Sequence, residues 1–206
     1  IGGHYVAIYK VFPALECSAC VMTPLTSYVG KQPNITIHAL SEVEKVTGSA
    51  GDFTVTVRKK ARYVNEEKCT GCQQCVRSCP VEVPNDYDGG LSLRKAIYML
   101  FPQQIPLIAT IDRDACIGCG TCAGVCPQDC IMYDDRDKVY ELHVGAIIVA
   151  TGFQEYKPLD YGEYGYGIYP NVVTTLEYDR QTHPTGPTDA HMVRPSDGKE
   201  PERILF

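Results

Sequence analysis

Alternating hydrophobic and polar residues give the clearest structural signal near the start of the chain. Positions 53–57 read Phe-Thr-Val-Thr-Val, and this period of two places one face of a strand against a core. A second apolar run at 43–46 precedes it across Gly-Ser-Ala-Gly-Asp, which is typical of a hairpin. We also predict a strand over 34–40 and a short helix over 23–30, with Thr23 as its cap and Pro24 in its first position.

Further along, the apolar pattern predicts one more buried strand and one more helix. Positions 144–149 read Val-Gly-Ala-Ile-Ile-Val and lead into Ala-Thr-Gly, which indicates a buried strand. A helix is predicted from 171 to about 180, and residues 182–201, rich in Pro, Gly, Asp and Ser, are predicted to form a loop. The last four residues, 203–206, resemble the start of an apolar strand. Because the chain also lacks an initiator Met, we expect a segment of a longer polypeptide or a chain whose edges are completed elsewhere.

Two cysteine motifs interrupt these patterns, 47 positions apart. They read CTGCQQCVRSCP at 69–80 and CIGCGTCAGVCP at 116–127. The spacing C-x2-C-x2-C-x3-C-P is that of bacterial ferredoxins with two clusters. Three cysteines at steps of three residues can surround one face of an iron–sulfur cube, and glycines such as Gly71, Gly118 and Gly120 allow the backbone to approach closely.

The fourth cysteine of each motif is predicted to bind the other cluster. It stands where the chain leaves the loop, and in two-cluster ferredoxins this residue crosses over. Pro80 and Pro127 fix the backbone at that exit. We therefore assign four ligands to a first cluster (Cys69, Cys72, Cys75 and Cys126) and four to a second (Cys116, Cys119, Cys122 and Cys79).

A pair of zinc sites is the alternative explanation of these motifs. Four-cysteine zinc modules also use C-x2-C pairs, and a zinc-stabilised interaction domain would have no redox activity. Zinc, however, has no use for a third cysteine at the same step and a fourth before proline. Two complete copies of the spacing therefore favour two 4Fe-4S clusters.

Three cysteines lie outside the two motifs. Cys17 and Cys20 form a C-x2-C pair that could provide two ligands of a third 4Fe-4S cluster, with further ligands from elsewhere. A redox-active pair and two structural thiols are the alternatives. Cys130 is predicted to be a buried or half-buried spare thiol, because both cluster sites already have four ligands.

Composition narrows the setting of this chemistry. The chain is 44% hydrophobic and 21% charged, as is usual for globular proteins. Its net charge of −6 argues against nucleic acid as a partner. No stretch approaches the roughly 18 to 20 apolar residues that span a bilayer, and no secretory signal is recognisable. Since most of the 11 cysteines fall into two tight repeats, we predict a reducing, cytoplasmic setting. Catalytic residues are not predicted.

The chain resembles the flavin and iron–sulfur subunit of heterodisulfide reductase. The resemblance is carried by IGGH at the start, FPALECSACVMTP at 12–24, PNITIHALSEVE at 33–44 and RKKARYVNEEKCTGCQQCVRSCPVEVPNDYDGG. It continues through RKAIYMLFPQQIPLIATIDRDACIGCG, VGAIIVATGF, EYGYGIYPNVVT and VRPSDGKEP. These segments cover nearly the whole chain in order, and correspond to a middle portion of that subunit.

This resemblance implies an α+β fold in three parts. A bacterial-type two-cluster ferredoxin domain at 61–140 would be inserted between partial flavin-domain segments of the α/β thioredoxin-reductase type at 1–60 and 141–206. Two short segments would lie near FAD: Gly2 and Gly3, and the turn Ala150, Thr151 and Gly152. The phosphate-binding pattern G-x-G-x-x-G does not occur here, so FAD binding would need a missing segment or a partner.

The function that the resemblance implies is electron relay within a larger oxidoreductase. The two clusters would pass single electrons between a flavin and other redox subunits, and ferredoxin is a further possible partner. In the family, electron bifurcation couples reduction of a disulfide or similar acceptor to reduction of low-potential ferredoxin. As part of such a complex, the chain would belong to a heterodisulfide reductase-like enzyme of anaerobic metabolism.

Overall fold

The computed structural model describes residues 1–156, 159 and 161–206, which separate into two compact units. Unit 1 comprises residue 1 with residues 26–83 and 95–151, and unit 2 comprises residues 2–25, 84–94 and 152–206. The described α-helices are α1 (Ser18–Lys31), α2 (Gln74–Ser78), α3 (Thr121–Gly124) and α4 (Thr175–Thr182). The described strands are β1 (Lys10–Val11), β2 (Glu16–Cys17), β3 (Ser41–Ser49), β4 (Asp52–Lys59), β5 (Glu82–Pro84), β6 (Leu93–Lys95), β7 (Ile97–Tyr98), β8 (Thr110–Ile111) and β9 (Lys138–Val144).

The predicted hairpin is the centre of the largest sheet. Strands β3 and β4 pair antiparallel through a two-residue turn, in which Gly51 has a φ of 93°. Strand β9 pairs antiparallel with the other edge of β4. The valines of the predicted alternating run, Val55 and Val57, are 8% and 5% exposed, so one face of this strand is buried as predicted. The other described strands form two-stranded sheets, β1 with β2, β5 with β6, and β7 with β8.

The three other predicted strands are wrong. Residues 34–40 form turns and irregular structure, and Leu40 has a φ of 57°, which interrupts an extended chain just before β3. The predicted strand 144–149 contributes only Val144, because β4 begins at Asp52 and offers no partner beyond the pair Phe53–Val144. Residues 203–206 form no strand, and Leu205 is 97% exposed.

The predicted helix over 23–30 exists but begins earlier. Helix α1 starts at Ser18 and holds Pro24 in its interior. Thr23 is therefore not a cap, and its hydroxyl donates to the carbonyl of Ala19 at 2.6 Å. Proline in the interior removes one backbone donor, yet the helix continues through Pro24 to Lys31. The helix contains Cys20, whereas Cys17 is the last residue of β2.

The second predicted helix also exists, with a later start. Helix α4 begins after Thr174, whose side chain accepts from the backbone N–H of Glu177 while the Glu177 carboxylate accepts from the N–H of Thr174. This capping box satisfies two of the free donors at the helix end. Residues 183–201 contain neither helix nor strand, as predicted for that loop.

Around the cysteine motifs, unit 1 contains two similar segments, one for each motif, and the residues that flank one motif pair with those that flank the other. Val64, which precedes the first motif, pairs with Ile131, which follows the second. Ile111, which precedes the second motif, pairs with Ile97, which follows the first. Each copy therefore completes its strand pair with the other copy. Buried aliphatic residues and cysteines form the core between them: Val64, Cys75, Ile97, Ile108, Ala109, Ile111, Cys122 and Cys130.

Among the described residues, no helix is both long enough and apolar enough to cross a membrane.

Candidate metal centres

Both cysteine loops begin with the same side-chain turn. The Asn65 side-chain oxygen accepts from the N–H groups of Glu67 and Lys68 at 3.0 and 3.1 Å. One repeat later, the Asp112 carboxylate accepts from the N–H groups two and three residues on, at 3.1 and 3.3 Å. Such turns of Asn and Asp imitate a backbone turn. They direct the first cysteine of each motif, and the carbonyls of the same two residues accept from the N–H groups of those cysteines.

Each loop then enters a short helix through a residue in the left-handed conformation. Gln73 precedes α2 with a φ of 63°, and Gly120 precedes α3 with a φ of 77°. Gly71 is constrained further, since a Cβ at this position would lie 2.8 Å from the Leu107 carbonyl oxygen. The loop backbone thus passes close to its neighbour where only glycine fits.

Two cavities in unit 1 bring the eight motif cysteines together. The first cavity is lined by three cysteines of the first motif and the last of the second: Cys69, Cys72, Cys75 and Cys126. The second cavity is lined by three cysteines of the second motif and the last of the first: Cys116, Cys119, Cys122 and Cys79. Thiolates are the ligands of iron–sulfur clusters, so the donor set of each cavity fits one cube. Among the described residues, no three His, Cys, Asp or Glu side chains converge on a position for a single metal ion.

Cysteines at equivalent positions of the two motifs have similar solvent exposure. Cys75 and Cys122, the third cysteines, are each 8% exposed, whereas Cys72 and Cys119 are on the surface. Burial raises the pKa of the Cys75 thiol to about 11, because charge is disfavoured in apolar surroundings. Each loop therefore places one sulfur in the core and another toward solvent.

The second cavity contains two hydroxyl groups beside its cysteines. The Tyr133 hydroxyl lies 3.2 Å from the Cys122 sulfur, and the Thr121 hydroxyl lies 3.4 Å from the Cys119 sulfur. The contact with Cys122 raises the pKa of Tyr133 to about 12, so the phenol keeps its proton and is able to donate to a cysteine thiolate. Hydrogen bonding by Thr121 lowers the pKa of Cys119.

The first cavity contains a fifth cysteine instead. Cys130 is 4% exposed and lines this cavity, with its sulfur 3.2 Å from the sulfur of Cys126. It is buried, in agreement with the sequence. Burial and the contact with Cys126 raise the pKa of Cys130 to about 12, whereas the pKa of Cys126 is lowered.

Cys17 and Cys20 lie in unit 2, where β2 leads into α1. Ser18 between them is fully buried, and its hydroxyl donates to the Ile8 carbonyl. A hydrogen bond with Cys20 lowers the pKa of Cys17, whereas the same contact raises the pKa of Cys20. The two thiols are thus neighbours, and Cys20 is exposed.

The residues expected near a flavin are partly brought together in unit 2. Gly2 and Gly3 lead into a 3-10 turn at Gly3–Val6. In that turn, the His4 ring packs edge-on against Phe153 with 4.8 Å between ring centroids. Phe153 directly follows Gly152, which has a φ of 71°. His4 also has a buried Nδ1 with no hydrogen-bond partner among the described residues.

Comparison with known proteins shows what this part of the chain is similar to. A family model described as a 4Fe-4S dicluster domain matches residues 68–131, and a second model of the same description matches residues 108–160. The CoB–CoM heterodisulfide reductase iron–sulfur subunit HdrA from Methanocaldococcus jannaschii is 47% identical over the whole chain. Over this segment, the chain is similar to HdrA subunits of heterodisulfide reductase along its whole length.

Other HdrA subunits match over the same full length. That of the H2:CoB–CoM heterodisulfide, ferredoxin reductase of Methanothermobacter marburgensis is 46% identical. That of the ferredoxin:CoB–CoM heterodisulfide reductase of Methanosarcina mazei is 41% identical. The chain covers 31%, 31% and 26% of the length of these three relatives, so it spans about a third of them or less. The dicluster domain of this chain, at residues 68–131, holds two 4Fe-4S clusters.

Sequence reasoning missed the surroundings of the two centres. The cysteine pattern treats the motifs as equivalent, yet Tyr133 is present only in the second cavity and Cys130 only in the first. One repeat of 47 residues before Tyr133 stands Asp86, and one repeat before Cys130 stands Val83. These two differences between the repeats were the sequence signal that the two centres have different surroundings.

Proposed function

We propose that this chain is an iron–sulfur electron-transfer segment of a heterodisulfide reductase-like oxidoreductase. It relays single electrons through two 4Fe-4S clusters between a flavin and partner redox subunits. When bound, the clusters supply one-electron chemistry and break no substrate bond. The protein supplies the thiolate ligands, an apolar surrounding and the hydrogen bonds that tune each potential.

The grouping of cysteines in the two cavities is the observation that carries this proposal. Each cavity has three cysteines from one motif and the last cysteine of the other. We therefore assign Cys69, Cys72, Cys75 and Cys126 to the first cluster, and Cys116, Cys119, Cys122 and Cys79 to the second. Since both sites lie in one small unit, an electron passing between them has a short path.

The flanking segments are proposed to be parts of a flavin domain of the thioredoxin-reductase type. Residues 1–60 and 141–206 would then surround the ferredoxin domain at 61–140. The contact between His4 and Phe153 supports this idea, because it brings the segment of Gly2 and Gly3 beside Gly152, the last residue of the turn proposed to face FAD. The FAD phosphates would be held by another part of the subunit or by a partner.

Cys17 and Cys20 are proposed to provide two ligands of a third 4Fe-4S cluster. The adjacent thiols at the start of α1 support this role. A cube needs two further ligands, which would come from outside this pair. The competing role is a disulfide that cycles between oxidised and reduced forms. Iron bound at both sulfurs would exclude the disulfide, whereas alkylation of both thiols only after reduction would exclude the cluster.

The other redox subunits of a cytoplasmic heterodisulfide reductase-like complex are the proposed partners, with ferredoxin as a further one. Relatives whose names include ferredoxin support this proposal. The net charge of −6 is consistent with a protein partner instead of nucleic acid.

Iron, flavin and zinc quantification on one anaerobically purified sample tests the proposed function. Two clusters require about eight irons per chain as a minimum, together with a broad visible absorption that bleaches with dithionite. Flavin should be substoichiometric unless the remainder of the enzyme or a partner is present. A colourless protein that contains zinc would refute electron transfer, and half the iron would show that one cavity is empty.

A further inference from the structure

The first cavity has more thiols than a cube has irons. Cys130 lines it together with four motif cysteines, and its sulfur lies 3.2 Å from that of Cys126. At 4% exposure, it is turned away from solvent and toward the ligand set. Its sulfur is therefore close to the position that the Cys126 sulfur occupies.

The backbone of Cys130 is held by residues that precede the first motif. The Cys130 carbonyl accepts from the Asn65 N–H at 2.7 Å, and the next residue, Ile131, pairs with Val64. Cys126 instead follows the end of α3. These contacts hold the Cys130 sulfur beside the sulfur of Cys126.

The second cavity provides a natural comparison. Cys79 has the same place in the first motif that Cys126 has in the second, and the residue four positions after Cys79 is Val83. Among the residues that line the second cavity, the four motif cysteines are the only thiols described. Cys79 thus has no neighbour that could take its place.

We propose that Cys130 is a reserve ligand of the first cluster, which binds the iron held by Cys126 when the Cys126 sulfur is lost. Rotation of a cysteine side chain between staggered rotamers moves its sulfur by about 3 Å, which is comparable to the separation of the two sulfurs. As the new iron–sulfur bond forms, the thiol proton of Cys130 passes to solvent. The exchange therefore needs no oxidant or reductant. This inference rests on the proposed assignment of Cys126 to the first cluster.

Four variants of the full-length protein, reconstituted anaerobically, test the proposal: Cys126→Ala, Cys130→Val, the double variant, and Cys79→Ala. Iron content and the electron paramagnetic resonance (EPR) spectrum are measured, because loss of one ligand converts a four-iron cluster to a three-iron cluster with its own signal. Cys126→Ala and Cys130→Val should each keep the full iron content of the wild type. The double variant should lose the first cluster or convert it to the three-iron form, and Cys79→Ala should do the same to the second cluster.

The outcomes separate failure of this inference from failure of the ligand assignment. Conversion of the first cluster in Cys126→Ala alone would show that Cys130 does not replace it. Loss of the cluster in Cys130→Val alone would make Cys130 the resident ligand, and Cys130→Ala, which is smaller than valine and cannot bind iron, distinguishes this from poor packing. Full iron in the double variant would refute both this inference and the assignment of Cys126. Damage to the first cluster in Cys79→Ala would refute the crossover assignment.

Discussion

Removal of the Tyr133 hydroxyl should lower the reduction potential of one cluster and leave the other unchanged. The phenol lies 3.2 Å from the sulfur of Cys122 and lines the second cavity only. A donor to a ligand sulfur stabilises the reduced cluster more than the oxidised one, because the reduced form carries more negative charge. In Tyr133→Phe this preference disappears while the ring remains.

The expected shift follows from the strength of one hydrogen bond. Tyr133 is 37% exposed, so a net value near the ordinary range of about 0.5–1.5 kcal/mol applies. For a one-electron couple, about 1.4 kcal/mol corresponds to about 59 mV. The potential of the second cluster should therefore fall by about 20–60 mV.

A redox titration monitored by EPR measures both clusters in one sample. The first cluster acts as an internal reference, and Tyr63→Phe is the matched control, since Tyr63 packs against the same core but lines neither cavity. An unchanged second potential, or an equal shift of both clusters, would show that the hydroxyl does not act on Cys122.

Further predictions concern folding of the two units. Gly71→Ala should destabilise unit 1 by about 1–3 kcal/mol more than Gly118→Ala. Both residues have positive φ, but only at Gly71 would the new Cβ meet the Leu107 carbonyl. Chemical denaturation of the apoprotein measures this difference. Arg180→Ala should lower the stability of unit 2 by about 3–5 kcal/mol, because the guanidinium is 1% exposed and pairs with the buried carboxylate of Asp88 at 2.8 Å. Faster hydrogen exchange in α4 would report this loss. Burial lowers the pKa of His183 below its ordinary value of 6.5. Its contribution to the stability of unit 2 is therefore present above pH 6.5 and decreases as the pH falls through the lowered pKa, which thermal unfolding at several pH values detects.

These predictions have their own controls. Equal destabilisation by Gly71→Ala and Gly118→Ala would contradict the close approach at Gly71. Arg180→Ala is compared with Arg194→Ala, whose ion pair is exposed and should contribute less than about 1 kcal/mol. His183→Asn should remove the acid sensitivity, and His191→Asn, at an exposed position, should retain it.

The sequence predicted the two 4Fe-4S clusters better than the strands. The cysteine spacing depends on a local loop geometry, and the two copies repeat it with the same turns at Asn65 and Asp112. The strand predicted at 144–149 is wrong because of a tertiary feature that the local sequence pattern does not show. An apolar run becomes a strand only where a partner is available, and β4 offers none beyond Phe53.

The asymmetry between the two centres was also beyond the sequence pattern. Tyr133 is 11 residues from Cys122 along the chain, and only folding brings its hydroxyl to that sulfur. The start of α1 shows the same limit, because Thr23 and Pro24 predicted a start at residue 23 whereas the helix begins at Ser18. The repeat could be read from spacing, but the groups that distinguish its two halves depend on tertiary structure.

The crossed ligand assignment is the central claim, and the EPR spectrum of Cys79→Ala tests it most directly. Cys79 belongs to the first motif but lines the cavity of the second. In this variant we expect the second cluster, the one whose potential responds to Tyr133→Phe, to convert to the three-iron form. The first cluster should remain a four-iron species. Conversion of the first cluster, with the second intact, would contradict the assignment.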